Sequence, residues 1–282
     1  MDFFYMLRYN NIKVNTAGSD RPAYTGRIKK MKIITVALQK GGVGKTSVAV
    51  SLAVELAKSG KTILIDADPQ GNATTWLDIQ TMQYEFADLL NGKCSLEQCV
   101  NKTSTNNLFI IPTAGIGGEL KEYSENKAGG NQGKIKKTLK EIAKNFDFCV
   151  IDTSPSFGNF ERGIFYATNE IVAVLQLDEF SKDGLQIFND RLQSFISDNL
   201  EEDEARPTFN KIVFNAKDDR IAQQGIILNQ FLPLKEHGYS LYVIPVDQAY
   251  RKVQSAHVAI QDFAGTKKET LETIKKLAAD LK

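Results

Sequence analysis

Apolar residues along this chain fall into two alternating patterns. Short apolar runs of strand length recur at 32–38, 62–66, 108–111, 148–152, 170–176, 210–215 and 241–245. Between them lie longer amphipathic stretches at 45–58, 84–91, 134–145, 158–168, 181–198, 220–231, 248–255 and 267–281, with the three- and four-residue spacing of helices. Strands that alternate with helices predict a single α/β domain: a mostly parallel, twisted sheet with helices on both faces. Glycines and polar residues break the pattern from 115 to 133, which reads as a loop with at most a short helix. The run Glu201-Glu202-Asp203-Glu204 reads as a solvated acidic turn. No internal repeat and no second-domain linker interrupts 31–282.

Residues 1–30 differ from the rest. They hold six basic and two acidic residues, no helical period, and Gly18, Pro22 and Gly26 as breakers. They read as a disordered leader or a start codon placed too early, with a basic arm that touches DNA or a partner as the alternative. The domain then opens at Met31.

A chain of 282 residues can bury a large core. Its apolar runs are far short of a membrane span, and its first residues lack the basic and apolar regions of a signal peptide. Cys94, Cys99 and Cys149 show no metal-ligand spacing, and Cys149 reads as a small core residue, which fits a reducing cytoplasm. The net charge of +1 makes no bulk case for nucleic acid. Any DNA binding needs a local basic patch, or two patches joined in a dimer.

The chemistry concentrates at strand ends. Lys40-Gly41-Gly42-Val43-Gly44-Lys45-Thr46-Ser47 lies between the first strand and the first helix. Such a turn aims several backbone N–H groups at one anion, and the helix N-terminus adds partial positive charge. Lys45 adds a full charge for the β- and γ-phosphates, and Thr46 a hydroxyl for Mg²⁺. The second strand ends in Asp66-Ala67-Asp68-Pro69-Gln70-Gly71-Asn72, at the sheet edge where α/β proteins bind ligands. Asp66 and Asp68 are two residues apart, so an extended chain turns both to one side. Phe148-Cys149-Val150-Ile151-Asp152 is an apolar strand ending in an aspartate that can hold Mg²⁺ through water.

Gln39 occupies the place of the first glycine in the common P-loop pattern, and Lys40 stands just inside the loop. The pattern K-G-G-x-G-K-[ST] resembles the deviant Walker A motif of the ParA/MinD family of ATPases, a single P-loop NTPase domain. The resemblance extends over nearly all of 31–282 and implies ATP and Mg²⁺ as cofactors. It implies that Asp68 orients the attacking water, that Asp66 sits near the Mg²⁺ shell, and that Asp152 is the Walker B aspartate. Ser154 replaces the first proline of the family's D-x-P-P-S. Gln176, Asp178 and Gly184-Leu185 are similar to a Q-x-E segment, with Asp178 in place of Glu. Asn215 and Pro245 fall where the family contacts the nucleotide base.

Lys40 has no obvious target within its own subunit. The resemblance implies that it crosses into a partner's site, so that ATP controls assembly of a homodimer and a slow, regulated ATPase results. Within the family the chain is most similar to ParA partition ATPases, which ride nonspecifically on nucleoid DNA in the cytoplasm and answer to a ParB-type centromere-binding protein. A MinD-type protein would bind membrane. The segment 266–282 carries only a narrow Leu/Ile stripe, which fits packing on the domain and predicts no membrane partner. Residues 251–282 hold seven basic against four acidic residues, with Arg251 and Lys252 as first candidates for DNA phosphates. A MinD-like positioning ATPase and a DNA-binding regulator that uses ATP only as a conformational ligand are the competing readings. The iron-protein branch is excluded, because no cysteine lies where a cluster would need one.

Overall fold

The computed structural model describes residues 31–79, 81–200 and 206–282. The leader 1–30 and the acidic run 201–204 lie outside the described residues. The strands are β1 (Lys32–Ala37), β2 (Thr62–Ala67), β3 (Asn101–Lys102), β4 (Leu108–Ile111), β5 (Phe148–Thr153), β6 (Glu170–Leu175), β7 (Thr208–Lys217) and β8 (Ser240–Pro245). They form one sheet in the order β3-β4-β2-β5-β1-β6-β7-β8. Every neighbouring pair is parallel except β3 with β4. The helices are α1 (Lys45–Ala57), α2 (Asn72–Trp76), α3 (Phe86–Asn91), α4 (Leu96–Cys99), α5 (Leu120–Glu122), α6 (Gln132–Ile142), α7 (Asn159–Phe165), α8 (Ser181–Asn199), α9 (Ala222–Phe231), α10 (Ala249–Ala256) and α11 (Lys268–Ala279).

The strands read as continuous apolar runs because helices cover both faces of the sheet. Ile34, Val36, Leu64, Val150, Val172, Val174 and Val213 point to one face, where they meet α1, α10 and α11. Ile33, Ile63, Cys149 and Ile151 point to the other, beneath α3, α6 and α7. Ile171, Ala173, Ile212 and Phe214 continue that second face beneath α8 and α9. Helix α1 is buried along nearly its whole length, from Val48 to Ala57. It is apolar on most sides because the sheet lies on one side of it and α11 on the other. The Tyr242 hydroxyl donates to Asp280 at 2.7 Å and ties the end of α11 to β8.

The expected α/β sheet with helices on both faces is present. The short elements β3, α2 and α4 were not expected, and α5 is the short helix allowed within 115–133. Each spans five residues or fewer, too short for a period to show in the sequence. The stretch 115–133 holds α5, one wide turn closed by Ala128 N–H donating to the Tyr123 carbonyl at 2.9 Å, and the start of α6. Buried Leu120, Tyr123 and Ala128 pin it to the core, with the Tyr123 ring edge-on to Phe160. Cys99 and Cys149 are buried and Cys94 is half-buried, and burial pushes all three thiols up. Among the described residues no helix is long and apolar enough to cross a membrane.

Topology brings the chemistry to one edge. The chain leaves β1 toward β2 on one side, whereas it leaves β5 toward β6 on the other. The two connections part at the C-terminal edge of β1 and β5, where open α/β sheets form their ligand crevice.

Candidate nucleotide and metal site

The loop after β1 is shaped by two glycines with left-handed backbone, Gly42 (φ 73°) and Gly44 (φ 94°). At Gly44 a side chain is excluded twice. The conformation disfavours it, and its Cβ would lie 2.1 Å from Asn215 Nδ2. Asn215 Nδ2 donates to the Val43 carbonyl at 2.9 Å, and Gln176 Nε2 donates to the Gly42 carbonyl at 3.2 Å. Two side chains from β7 and the end of β6 therefore brace the loop from behind. Helix α1 starts at Lys45 without a side-chain cap, so its first N–H groups are left to whatever anion binds there.

Lys45 is buried, and its ammonium donates to the Lys40 carbonyl at 2.9 Å. Burial pulls its pKa below the usual lysine range, and Asp152 and Asp68 push it back up. Asp66 and Asp152 are register partners on adjacent strands, and both are fully buried. Asp66 is well supplied with donors: Thr74 N–H at 2.8 Å, the Thr74 hydroxyl at 2.7 Å and, more weakly, Asp68 N–H at 3.4 Å. Burial still pushes its pKa up to about 7, against the Thr74 bonds and with help from the Asp68 charge. Asp152 is raised well above the carboxylate range by burial first and Asp66 second, while Thr46 and Lys45 act the other way. Neither oxygen of Asp152 has a well-formed hydrogen bond.

A fully buried carboxylate with two unsatisfied oxygens, set near the Thr46 hydroxyl, is what a hard cation requires. Among the described residues no three acidic, histidine or cysteine side chains converge into a protein-only metal cage. The donor set therefore fits Mg²⁺, which takes one or two protein ligands and keeps its remaining positions for phosphate and water. Asp66 differs from Asp152, because its oxygens are committed to α2. Thr74 in turn receives Thr113 N–H at 2.9 Å, so Asp66 anchors the segment after β2 to the segment after β4.

A cavity of about 560 Å³ opens over the loop. Gly41, Gly42, Gly44, Lys45, Thr46, Ser47 and Asp68 line it. Asp68 faces it, nearly buried, with one oxygen accepting Gln70 N–H at 2.9 Å. Asn215 and Pro245 are not part of this lining. Asn215 lies behind the loop as described, and Pro245 ends β8 opposite Lys217. Gln70 and Asn72 also line the cavity, and Thr75, Trp76, Pro155 and Gln254, which sequence reasoning did not single out, complete the wall. Trp76 Nε1 donates to the Val258 carbonyl at 2.9 Å, and a ring nitrogen of His257 lies 2.9 Å from the Thr75 carbonyl. Gln254 Nε2 reaches Ser47 Oγ at 3.4 Å. The turn that holds Asp68 is thus buttressed by α10 and the residues just after it. The sole tryptophan, four residues past the D-x-D-P-Q-G-N segment, was the one available signal.

Lys40 does have a target within its own subunit. It forms an ion pair with Asp178, in the loop after β6. Burial pushes the Asp178 carboxyl up, but the bonds from Lys40 and Ser181 outweigh it and hold the group below the usual range. Both side chains are about a third exposed, so the pair is a weak one, on the order of 0.2–1 kcal/mol.

The buried carboxylates make nucleotide-free stability depend on pH. Asp66 titrates near 3.8 when unfolded and near 7 when folded, so the folded state holds more protons between those values. Stability then falls as pH rises through that window, and Asp152 acts in the same direction. Replacing Asp152 by Asn removes a carboxylate whose charged form burial disfavours and the Lys45 ammonium offsets only in part. Without nucleotide or metal, D152N is expected to be more stable than wild type at pH 7.5, with the gap closing toward pH 4–5. Urea unfolding at both pH values checks this, and a D152N protein less stable than wild type at pH 7.5 contradicts it.

Comparison with known proteins agrees with this geometry. An AAA domain family, AAA_31, matches residues 31–203. The chromosome-partitioning ATPase Soj of Treponema pallidum is 35% identical over 158 residues, which cover 55% of this chain and 61% of Soj. An uncharacterized protein of Borreliella burgdorferi, BBD21, is 29% identical over 245 residues, covering 86% of this chain and 96% of its own. Among solved structures, a Cyanothece McdA variant in complex with ATP superposes with a TM-score of 0.76 at 20% identity, covering 90% of this chain and 98% of that one. MinD from Pyrococcus horikoshii with Mg-ADP gives 0.67 at 19%, covering 89% and 96%. The likenesses to McdA and MinD concern the fold alone, while the strand order, the deviant loop and the sequence matches agree on one assignment: this chain belongs to the ParA/MinD family of P-loop ATPases.

Proposed function

We propose that this protein is a ParA-like partition ATPase, which binds Mg²⁺ and ATP, dimerises on ATP, rides on DNA and hydrolyses ATP slowly under the control of a ParB-type partner. The observation that carries the catalytic part is buried Lys45 at a bare helix N-terminus, facing the unsatisfied carboxylate of Asp152. The names of the Soj relatives support the partition part.

When bound, Mg²⁺ and ATP supply the reactive phosphoanhydride and a divalent charge that offsets its negative charge. Lys45 and the N–H groups opening α1 bind the phosphates. Thr46 and Asp152 are the side chains that would hold the cation. Asp68, at the cavity wall on a turn fixed by Gln70 and the left-handed Gly71, orients the attacking water. Lys40 leaves Asp178 and stabilises the partner's phosphates, where an unshared lysine matters most as charge develops. Because the pair it leaves is exposed and weak, a triphosphate outcompetes it. A membrane-positioning role would need an apolar surface on α11 to meet lipid. Ile274, Leu277, Ala278 and Leu281 of this segment are buried against the domain instead.

Lys45→Ala is expected to abolish tight ATP binding, whereas Asp68→Ala keeps binding and loses turnover. Nucleotide titration and single-turnover hydrolysis separate the two. Unchanged ATP affinity in K45A defeats the site assignment, and near-normal hydrolysis in D68A moves the water-orienting role elsewhere.

Asp178→Asn should release Lys40 and let ATP drive dimerisation at a lower protein concentration. The shift is modest, about two- to fivefold for a pair of this strength. Analytical ultracentrifugation with a non-hydrolysable ATP analogue measures it, and weaker dimerisation in D178N would mean that Asp178 supports the dimer rather than competes with it.

A further inference from the structure

The densest positive charge among the described residues is not on the segment 251–282. Residues 134–144 carry five lysines against one glutamate, in a chain whose net charge is +1. Lys134, Lys137 and Lys140 on α6 and Lys144 in the turn after it are all exposed, and none has an ion-pair partner among the described residues. At 100° per residue they fall within roughly a third of the helix circumference, and Lys134 to Lys140 spans about 9 Å along the axis. Glu141 is the one acid on the same stripe.

Local stability does not explain this arrangement. The first turn of α6 has no acidic residue, so Lys134 faces the positive end of the helix dipole, while Lys140 in the last turn lies where the dipole favours a cation. Lys134, Lys137 and Lys140 are spaced at i, i+3, where like charges repel. The stripe thus costs the folded protein stability that a bound polyanion would return.

We infer that the lysine stripe of α6 is the surface on which this protein holds the phosphate backbone of duplex DNA. The inference rests on the DNA-riding reading above and assigns it a place. Ile135, Leu139 and Ile142, the apolar residues of the helix, are all buried under the sheet. The exposed face therefore offers ammonium groups and nothing to insert into lipid. Lysines act as point charges rather than as planar forks for bases, which suits sequence-independent contact. The stripe lies on the opposite face of the sheet from Arg251 and Lys252, whose helix α10 packs with α1. The two surfaces can be tested separately. Helix α6 also packs on α7, which follows the Asp152 strand through a loop that includes Pro155 of the cavity wall, so the stripe is two elements from the phosphates.

The test is a salt titration of binding to a random-sequence duplex by the full chain with Mg²⁺ and ATP. Its arms are wild type, a variant with all four lysines changed to Gln, the same four changed to Arg, and Arg251→Gln with Lys252→Gln. Anionic vesicles are titrated in parallel. The Gln variant is expected to lose at least tenfold in affinity near 0.1 M salt and to lower the slope of log K against log salt by about 3. ATP binding should be unchanged, and the Arg variant should bind as wild type. If the Gln variant matches wild type in affinity and slope, the stripe is not the DNA surface, while the DNA-riding reading stands. If wild type with ATP binds no duplex, or binds only vesicles, both fall together.

Discussion

Everything at the working edge of this molecule follows from placing two carboxylates where water cannot reach them. Asp66 and Asp152 lie side by side at the ends of parallel strands, both fully buried. One buried lysine, Lys45, lies near Asp152 and Asp68. In that environment a carboxylate must be paired, protonated or bound to metal. Asp66 takes the first course through Thr74, and through it fixes α2 and the Asp68 turn. Asp152 is left without a well-formed hydrogen bond among the described residues. The fold thus builds a site that is electrostatically incomplete until a cation and an anion enter together. A ligand bound here would act directly on the protonation and hydrogen bonding of these few groups.

The surroundings transmit that change by direct contact. Trp76 and Thr75 at the end of α2 are tied to 257–258, and Gln254 touches Ser47 at the start of α1. Lys40 is held by Asp178. The cavity over the loop is lined by residues of the loop, the segment after β2, Pro155 and α10. The Lys40–Asp178 pair is weak because both side chains are about a third exposed.

Much of this was legible in the sequence. The seven longer strands announced themselves because double burial makes them unbroken apolar runs. The loop 40–47, Asp68 and Asp152 were legible as polar residues clustered at strand ends, and the structure brings them to one edge of the sheet. Four things were not. Short elements such as β3 and α2 have no period to read. The ion pair of Lys40 with Asp178 joins residues 138 apart, and no local pattern encodes it. Asn215 was read as facing a base. In the structure its amide braces the Val43 carbonyl, a role set by the absence of a side chain at Gly44 and visible only when β7 lies against the loop. The basic stripe on α6 was present as letters, but its exposure and lack of partners needed the fold.

The central claim is that burial holds protons on the Asp66–Asp152 pair until the cation and triphosphate displace them. Isothermal titration of the protein with ATP and Mg²⁺ at pH 6.5, repeated in buffers of different ionisation enthalpy, counts the protons exchanged on binding. The account predicts net proton release, shrinking as pH rises above 8 and strongly reduced in the Asp152→Asn variant. Binding with no proton release at pH 6.5, or with net uptake, would contradict it.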